Sequence, residues 1–380
     1  MSGAAMLGAV LSTCGVCGAS GPECSDVFVA GHDGYPSIRI PAVVVTHAGS
    51  VLAFAEGRAR HADQAHNQLI LRRSTDGGRT WGAVQKVAAD GDNSLNNPCA
   101  VVEQATGRVL VMYQRIPAHL EEASAAIEPG FDGPNVYRTL LTVSDDDGLT
   151  WSAPRDVTRG TKHATGATTV ASGPGIGIQL TRGSHQGRLL MPFNEGPFWQ
   201  WNNYAAYSDD GGETWQCGEN VPGAIVDDPK HGRRSQINEV QFVELSDGSV
   251  RLNSRQFAGT RLRKTSVSHD GGVTWSKVED VGDLLDPCCQ GSILRFHDML
   301  LYSGPDSGQR ANGTVHVSLD DGRSWPVRRV LEAGSFGYSC LTALADGTLG
   351  CLYETDGANR LVFARFSLEW VLGESGPRAR

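Results

Sequence analysis

No stretch of this 380-residue chain is basic: 33 Lys and Arg stand against 42 Asp and Glu, a net charge of −9. That balance argues against a nucleic-acid partner, whose phosphates call for a positive face. Long apolar runs are missing too, and beyond residue 20 none approaches the ~20 residues of a membrane-spanning helix. Helical periodicity is scarce, and nine cysteines form an odd set without a framework spacing. Cys14-x-x-Cys17 has no second pair to complete a metal site. Residues Ala4–Ala19 have the apolar core and the small-residue exit Cys17-Gly18-Ala19 of a secretory signal, but no Lys or Arg precedes them. Leu11-Ser12-Thr13-Cys14 is a poor lipoprotein match. The compartment stays open: secreted or periplasmic with a signal, cytoplasmic with a misassigned start. Gly173-Pro174-Gly175-Ile176-Gly177 is followed by neither helix nor Lys, which argues against a phosphate loop.

What the chain has is glycine, 47 residues of it, and a repeat. The pattern Ser-x-Asp-x-Gly-x-Thr/Ser-Trp occurs at Ser74–Trp81, Ser144–Trp151, Ser208–Trp215, Ser268–Trp275 and Ser318–Trp325. Self-similarity at such intervals marks a repeat architecture rather than unrelated domains. In each copy the Asp can accept nearby backbone N–H groups, the Gly allows a tight turn, and the Trp covers apolar surface. These stretches resemble the Asp boxes of sialidases and other β-propellers, and they read as structural turns, not as calcium or sugar sites. The expected fold is all-β: a six-bladed propeller with four-stranded antiparallel blades and five such turns. The expected division is an apolar leader over 1–25, one propeller over 26–370 and a tail over 371–380.

Strands are expected at Ile38–Thr46, Val51–Arg58, Gln68–Arg73, Val109–Gln114, Thr139–Val143, Arg188–Phe193, Tyr204–Tyr207, Glu239–Leu245, Val250–Arg255, Ser292–Phe296, Met299–Tyr302, Tyr338–Ala345 and Leu349–Glu354. A short helix is expected over His119–Ile127, and Leu361–Phe366 as a last strand closing the ring against the first blade. In a hairpin, residues equidistant from the turn lie at the same end. Glu239 and Arg255 flank Asp247 equally, Tyr338 and Glu354 flank Asp346, and Arg39 and Arg58 flank Ala48-Gly49. Three hairpins thus bring three polar pairs to one pole, with Asp63 and Arg310 in loops at that same pole. A strand of six or seven residues, about 20 Å long, then separates this pole from the repeats. One pole carries chemistry and the other carries turns.

Four guanidinium groups around one centre repel unless an anion or carboxylates compensate them. Since Arg meets a carboxylate through two parallel hydrogen bonds, the pole suits a carboxylate ligand. Ser37-Ile38-Arg39-Ile40-Pro41, followed by Leu52-Ala53-Phe54-Ala55-Glu56-Gly57-Arg58, resembles the Arg-Ile-Pro region of exo-α-sialidases (neuraminidases). The resemblance covers Val27 to Phe366. It implies an arginine triad of Arg39, Arg255 and Arg310 for the sialic acid carboxylate, with Glu354 buttressing Arg39. It implies Tyr338 as nucleophile, Glu239 as its proton acceptor, Asp63 as acid/base, and Arg58 near the sugar 4-hydroxyl. Asn96-Asn97-Pro98 resembles a site-lining stretch, and Phe198, Trp199 and Trp201 are candidates to surround the N-acetyl methyl. The implied activity is retaining hydrolysis of terminal α-linked sialic acid from oligosaccharides, glycoproteins and gangliosides, by a monomer without cofactor. A trans-sialidase and a non-catalytic sialic-acid-binding propeller are the alternatives. His61 and His66 flank Asp63, but the arginines disfavour a cation there, so no metal is expected. Asn312-Gly313-Thr314 is a glycosylation sequon.

Overall fold

The computed structural model describes residues 21–229 and 232–373. Cys14, Cys17 and almost all of the leader lie outside the described residues, as do residues 374–380. Each blade begins with a largely buried inner strand and steps outward by antiparallel hairpins. Blade I is Ser37–Val45, Val51–Arg58, Gln68–Ser74 and Gln85–Ala88, and blade II is Ser94–Val102, Val109–Ile116, Arg138–Ser144 and Arg155–Asp156. Blade III is Val170–Ser172, Leu189–Glu195, Asn202–Ser208 and Gln216–Cys217. Blade IV is Ile237–Glu244, Val250–Gln256, Leu262–Ser268 and Glu279–Leu285, and blade V is Ser292–Phe296, Met299–Pro305, Ala311–Ser318 and Val327–Ser335. Blade VI is Ser339–Ala343, Leu349–Thr355, Arg360–Phe366 and, from the other end of the chain, Glu23–Val29. The six-bladed expectation holds.

Three details differ from it. Blades II and III each carry a fifth strand, and one of these, Gly175–Ile176, pairs parallel to Cys99–Ala100. The ring is closed by Glu23–Val29, which adds to the outer edge of blade VI from Glu23↔Arg365 to Val29↔Arg360. Arg360–Phe366 is therefore an interior strand of that blade, held between two partners; the closing strand begins within the segment expected as leader. His119–Ile127 is not a helix but a run of isolated turns, with Leu120 N–H on Pro117 O, Ser124 N–H on Glu121 O and Ile127 N–H on Ser124 O. Leu120 and Ile127 bury their side chains in the core shared by blades II and III, and Pro117 and Pro129 bracket the segment. Packing overrides local helix propensity there.

All five repeats form the same turn between the third and fourth strands. In the first, Ser74 Oγ donates to Asp76 and accepts the Gly78 N–H, while Asp76 accepts the Thr80 N–H at 2.9 Å and hydroxyl at 2.6 Å. These Thr80 donors hold the Asp76 carboxyl down to about 2. Each Trp then wedges between blades: Trp151 of blade II meets Phe54 of blade I edge-on at 5.6 Å, and Trp81 of blade I meets Phe363 of blade VI at 5.5 Å. Blade VI has no such turn. There Ser367 caps the short helix Leu368–Leu372, and its Trp370 packs on Phe366. Because Val51 pairs with Ser74 and Gly57 with Gln68, the repeats lie a full strand away from Arg58.

Candidate active site

The inner strands bulge where they approach the pole of Arg58. The register slips between Arg39 and Ala42 in blade I, Asn96 and Cys99 in blade II, and Ile237 and Val240 in blade IV. In two of these the residue before a proline takes a left-handed backbone, Ile40 at φ 65° and Asn97 at φ 56°. Such a conformation costs a non-glycine residue about 1–3 kcal/mol. It turns each N–H onto a buried carboxylate: Ile40 donates to Glu354 at 3.0 Å, Asn97 to Glu56 at 2.7 Å. The bulge also moves Arg39 opposite Glu56, not Arg58, a shift that equal counting from the turn misses.

Around the cleft two of the three expected hairpin pairs meet, Glu239 with Arg255 and Tyr338 with Glu354. Glu354, 1 % exposed, takes Arg39 through Nε at 3.0 Å and Nη2 at 2.8 Å, and also accepts the Tyr338 N–H. Burial opposes the Arg39 charge, but the Glu354 carboxylate outweighs it and raises the pKa. Arg255 donates from Nη1 to Glu239 at 2.8 Å and to the Tyr338 hydroxyl at 2.9 Å. The Tyr338 hydroxyl donates in turn to Glu239 through a short hydrogen bond. Arg39 and Arg310 lie over the Tyr338 ring, 5.1 and 5.2 Å from its centroid. Burial, then the Glu239 charge, push the Tyr338 phenol well above its ordinary range, against the pull of Arg255, Arg310 and Arg39. The phenol is thus neutral, with its proton already directed at a carboxylate.

Arg58 lies fully inside, held by Glu56 at 2.6 Å, and reaches Asp63 at 3.0 Å. Asp63 itself is 68 % exposed, at the mouth of the cleft. The cavity, about 260 Å³, touches Asp63, Glu239, Arg255 and Tyr338 on one side and the wall of blades II and III on the other. Phe198, Trp199 and Trp201 line that wall and pack on one another and on Phe257. Of the eight polar residues expected at the pole, Arg58, Asp63, Glu239, Arg255 and Tyr338 line this cleft, and Arg39, Arg310 and Glu354 contact Tyr338.

A BNR repeat-like domain model matches residues 49–351. The sialidase of Micromonospora viridifaciens is 39% identical over 377 residues, which cover 93% of this chain and 55% of that one. The chain belongs to the exo-α-sialidase family. It spans just over half the length of that Micromonospora relative. Among solved structures, the Hadza microbial sialidase Hz136 superposes with a TM-score of 0.79 at 28% identity, over 90% of this chain and 68% of that one. The intramolecular trans-sialidase from Ruminococcus gnavus shares the fold at 20% identity, with a TM-score of 0.78 over 92% of this chain and 98% of that one.

Two acidic residues of this sialidase-family cleft are absent from the sequence-based set. Glu56 is fully buried, and burial pushes its carboxyl up against the pull of Arg58. Its place one residue from Gly57-Arg58 was the available signal. Glu122 lines the cleft from the loop between the second and third strands of blade II. No spacing rule could have placed it there, because that loop has no regular register.

Proposed function

We propose that this cleft hydrolyses terminal α-linked sialic acid with retention of configuration. The hydrogen-bonded set of Tyr338, Glu239 and Arg255, framed by Arg39 and Arg310, carries the reading. Sialic acid bears its carboxylate on the anomeric carbon, so a carboxylate nucleophile would meet like charge, whereas a neutral tyrosine would not. Arg39, Arg255 and Arg310 hold the substrate carboxylate. The Tyr338 oxygen attacks the anomeric carbon as its proton passes to Glu239, and the bond to the leaving oxygen breaks as Asp63 delivers a proton to it. Water then gives a proton to Asp63 and attacks the same carbon, and Tyr338 leaves, recovering its proton from Glu239. Two displacements give retention. Sialidases with a tyrosine nucleophile are a known exception to the two-carboxylate scheme of glycosidases.

The test separates the roles by leaving group. A sugar oxygen departs poorly as an anion, whereas an aryl oxide departs unaided. Asp63→Ala is expected to slow cleavage of a sialyl-galactoside by ~10²–10⁴-fold, and pre-steady-state release from an activated aryl sialoside far less. Tyr338→Phe should impair formation of the intermediate from both. Equal slowing of the first step for both leaving groups in Asp63→Ala would remove Asp63 from the acid's role. Free sialic acid formed at a rate independent of added galactoside separates hydrolysis from transfer. Retained binding without turnover would favour the lectin reading.

A further inference from the structure

The wall opposite the arginines holds polar groups that the mechanism does not use. Asn96 Oδ1, Gln114 Nε2, Tyr137 Oη, Thr169 Oγ1 and Trp201 Nε1 have no hydrogen-bond partner among the described residues. Their residues are at most 6% exposed, and all five line the cleft. Native proteins rarely leave so many buried groups unpaired, and a ligand with matching groups satisfies them. The neighbouring groups already use part of this set: Asn96 Nδ2 donates to Asp63 O at 2.8 Å, and Gln114 Oε1 accepts from Ser172 at 3.2 Å. What remains is chiefly donors, suited to a carbonyl oxygen.

Glu122 is the exception on this wall. It is a half-buried carboxyl that lines the same cleft as Tyr137 and Trp201. Burial raises it to about 7, helped by the charges of Asp63 and Glu239 and opposed by Arg255. The Trp201 indole N–H favours its charged form, though without the geometry of a full hydrogen bond. A carboxyl so placed accepts hydrogen bonds and repels a second anion. An acyl group whose carbonyl meets the free donors and whose tip bears one hydroxyl fits both.

We propose that Glu122 is a specificity-determining residue that accepts the terminal hydroxyl of a hydroxyacetyl group on the sugar nitrogen, so that N-glycolyl sialosides are preferred over N-acetyl ones. This rests on the sialidase reading above. The test compares kcat/KM for 4-methylumbelliferyl α-glycosides of N-glycolyl and N-acetyl neuraminic acid. The aglycone is the same in both, so the ratio reports the acyl group. The native protein is expected to favour the N-glycolyl substrate about tenfold, the size of one charge-assisted hydrogen bond. Glu122→Gln, which keeps the shape, should bring the ratio within about threefold of unity. A native ratio of one or less, or an unchanged ratio in Glu122→Gln, overturns the proposal. Calorimetry with the two 2,3-didehydro sugars separates this from failure of the hydrolytic reading. Binding of both without turnover rejects hydrolysis, and the Kd ratio then judges Glu122 by the same thresholds. Binding of neither overturns both.

Discussion

Buried charge is handled in two ways at the level of single residues. Around the cleft every buried cation has a partner, as Arg39 has Glu354 and Arg58 has Glu56. Lys162 does not: it is 1% exposed, and its Nζ has no hydrogen-bond partner among the described residues. Burial pulls its pKa down to about 8, with only a partial correction from the Glu195 carboxylate. The folded pKa lies below the ordinary 10.5, so folding is penalised while the amine is charged in the unfolded chain. That penalty is full below pH 8 and fades as pH rises from there towards 10.5. Lys162→Met is therefore expected to raise stability at pH 6–7, with the gain shrinking between pH 8 and 10. Urea melts across that range check it, and a gain independent of pH would mean that packing, not charge, sets the effect.

At the level of elements, the repeated turn and the bulged strand divide the work. Asp320 shows what the turn does: it accepts the Ser324 N–H at 2.9 Å and hydroxyl at 2.7 Å, and the Arg323 N–H at 3.1 Å. Asp320→Ala strands these donors at the surface and should cost about 1–2 kcal/mol, like loss of a helix cap. Substrate affinity should hold, because the turn sits a strand's length from the cleft. A large rise in KM with unchanged melting would show instead that these turns bind ligand. The turns were legible in the sequence because one local pattern repeats five times. Hairpin counting was equally sound for Glu239 with Arg255 and Tyr338 with Glu354, where it needed only the turn and the period of two. It failed at Ile40-Pro41, since a bulge adds a residue that no propensity announces. Glu122 was illegible for another reason: its approach to Asp63 and Glu239 depends on how irregular loops from separate blades settle together.

Whole-molecule stability turns on how a ring with two chain ends is closed. Here the outer strand of blade VI is Glu23–Val29, so the last blade is completed by the first described strand. Its first residues, Glu23–Ser25, fall in the expected leader because the neighbouring Ala4–Ala19 dominate the local composition, while the strand's pairing partner lies more than 330 residues away. Its side chains also serve the neighbouring blade. Phe28 is 1% exposed in the core shared with blade I, and Ser25 accepts the Trp81 indole N–H at 3.0 Å. Without it, the edge of Arg360–Phe366 is unpaired and Trp81 loses a partner. Phe28→Ala alone should cost about 3–5 kcal/mol. A chain starting at residue 30 loses in addition the whole ladder and offers an open strand edge to other molecules. It is expected to melt well below the full chain, in a broader transition, and to associate on heating. Arg39 and Tyr338 stand on blades I and VI, the two that this strand joins, so the truncated protein should lose affinity for 2,3-didehydro sialic acid even at temperatures where it remains folded. Calorimetry at 15 °C measures this directly. Native affinity in a chain lacking Glu23–Val29 would mean that the cleft is held by its inner strands and buried carboxylates alone, and that the closing strand serves only stability.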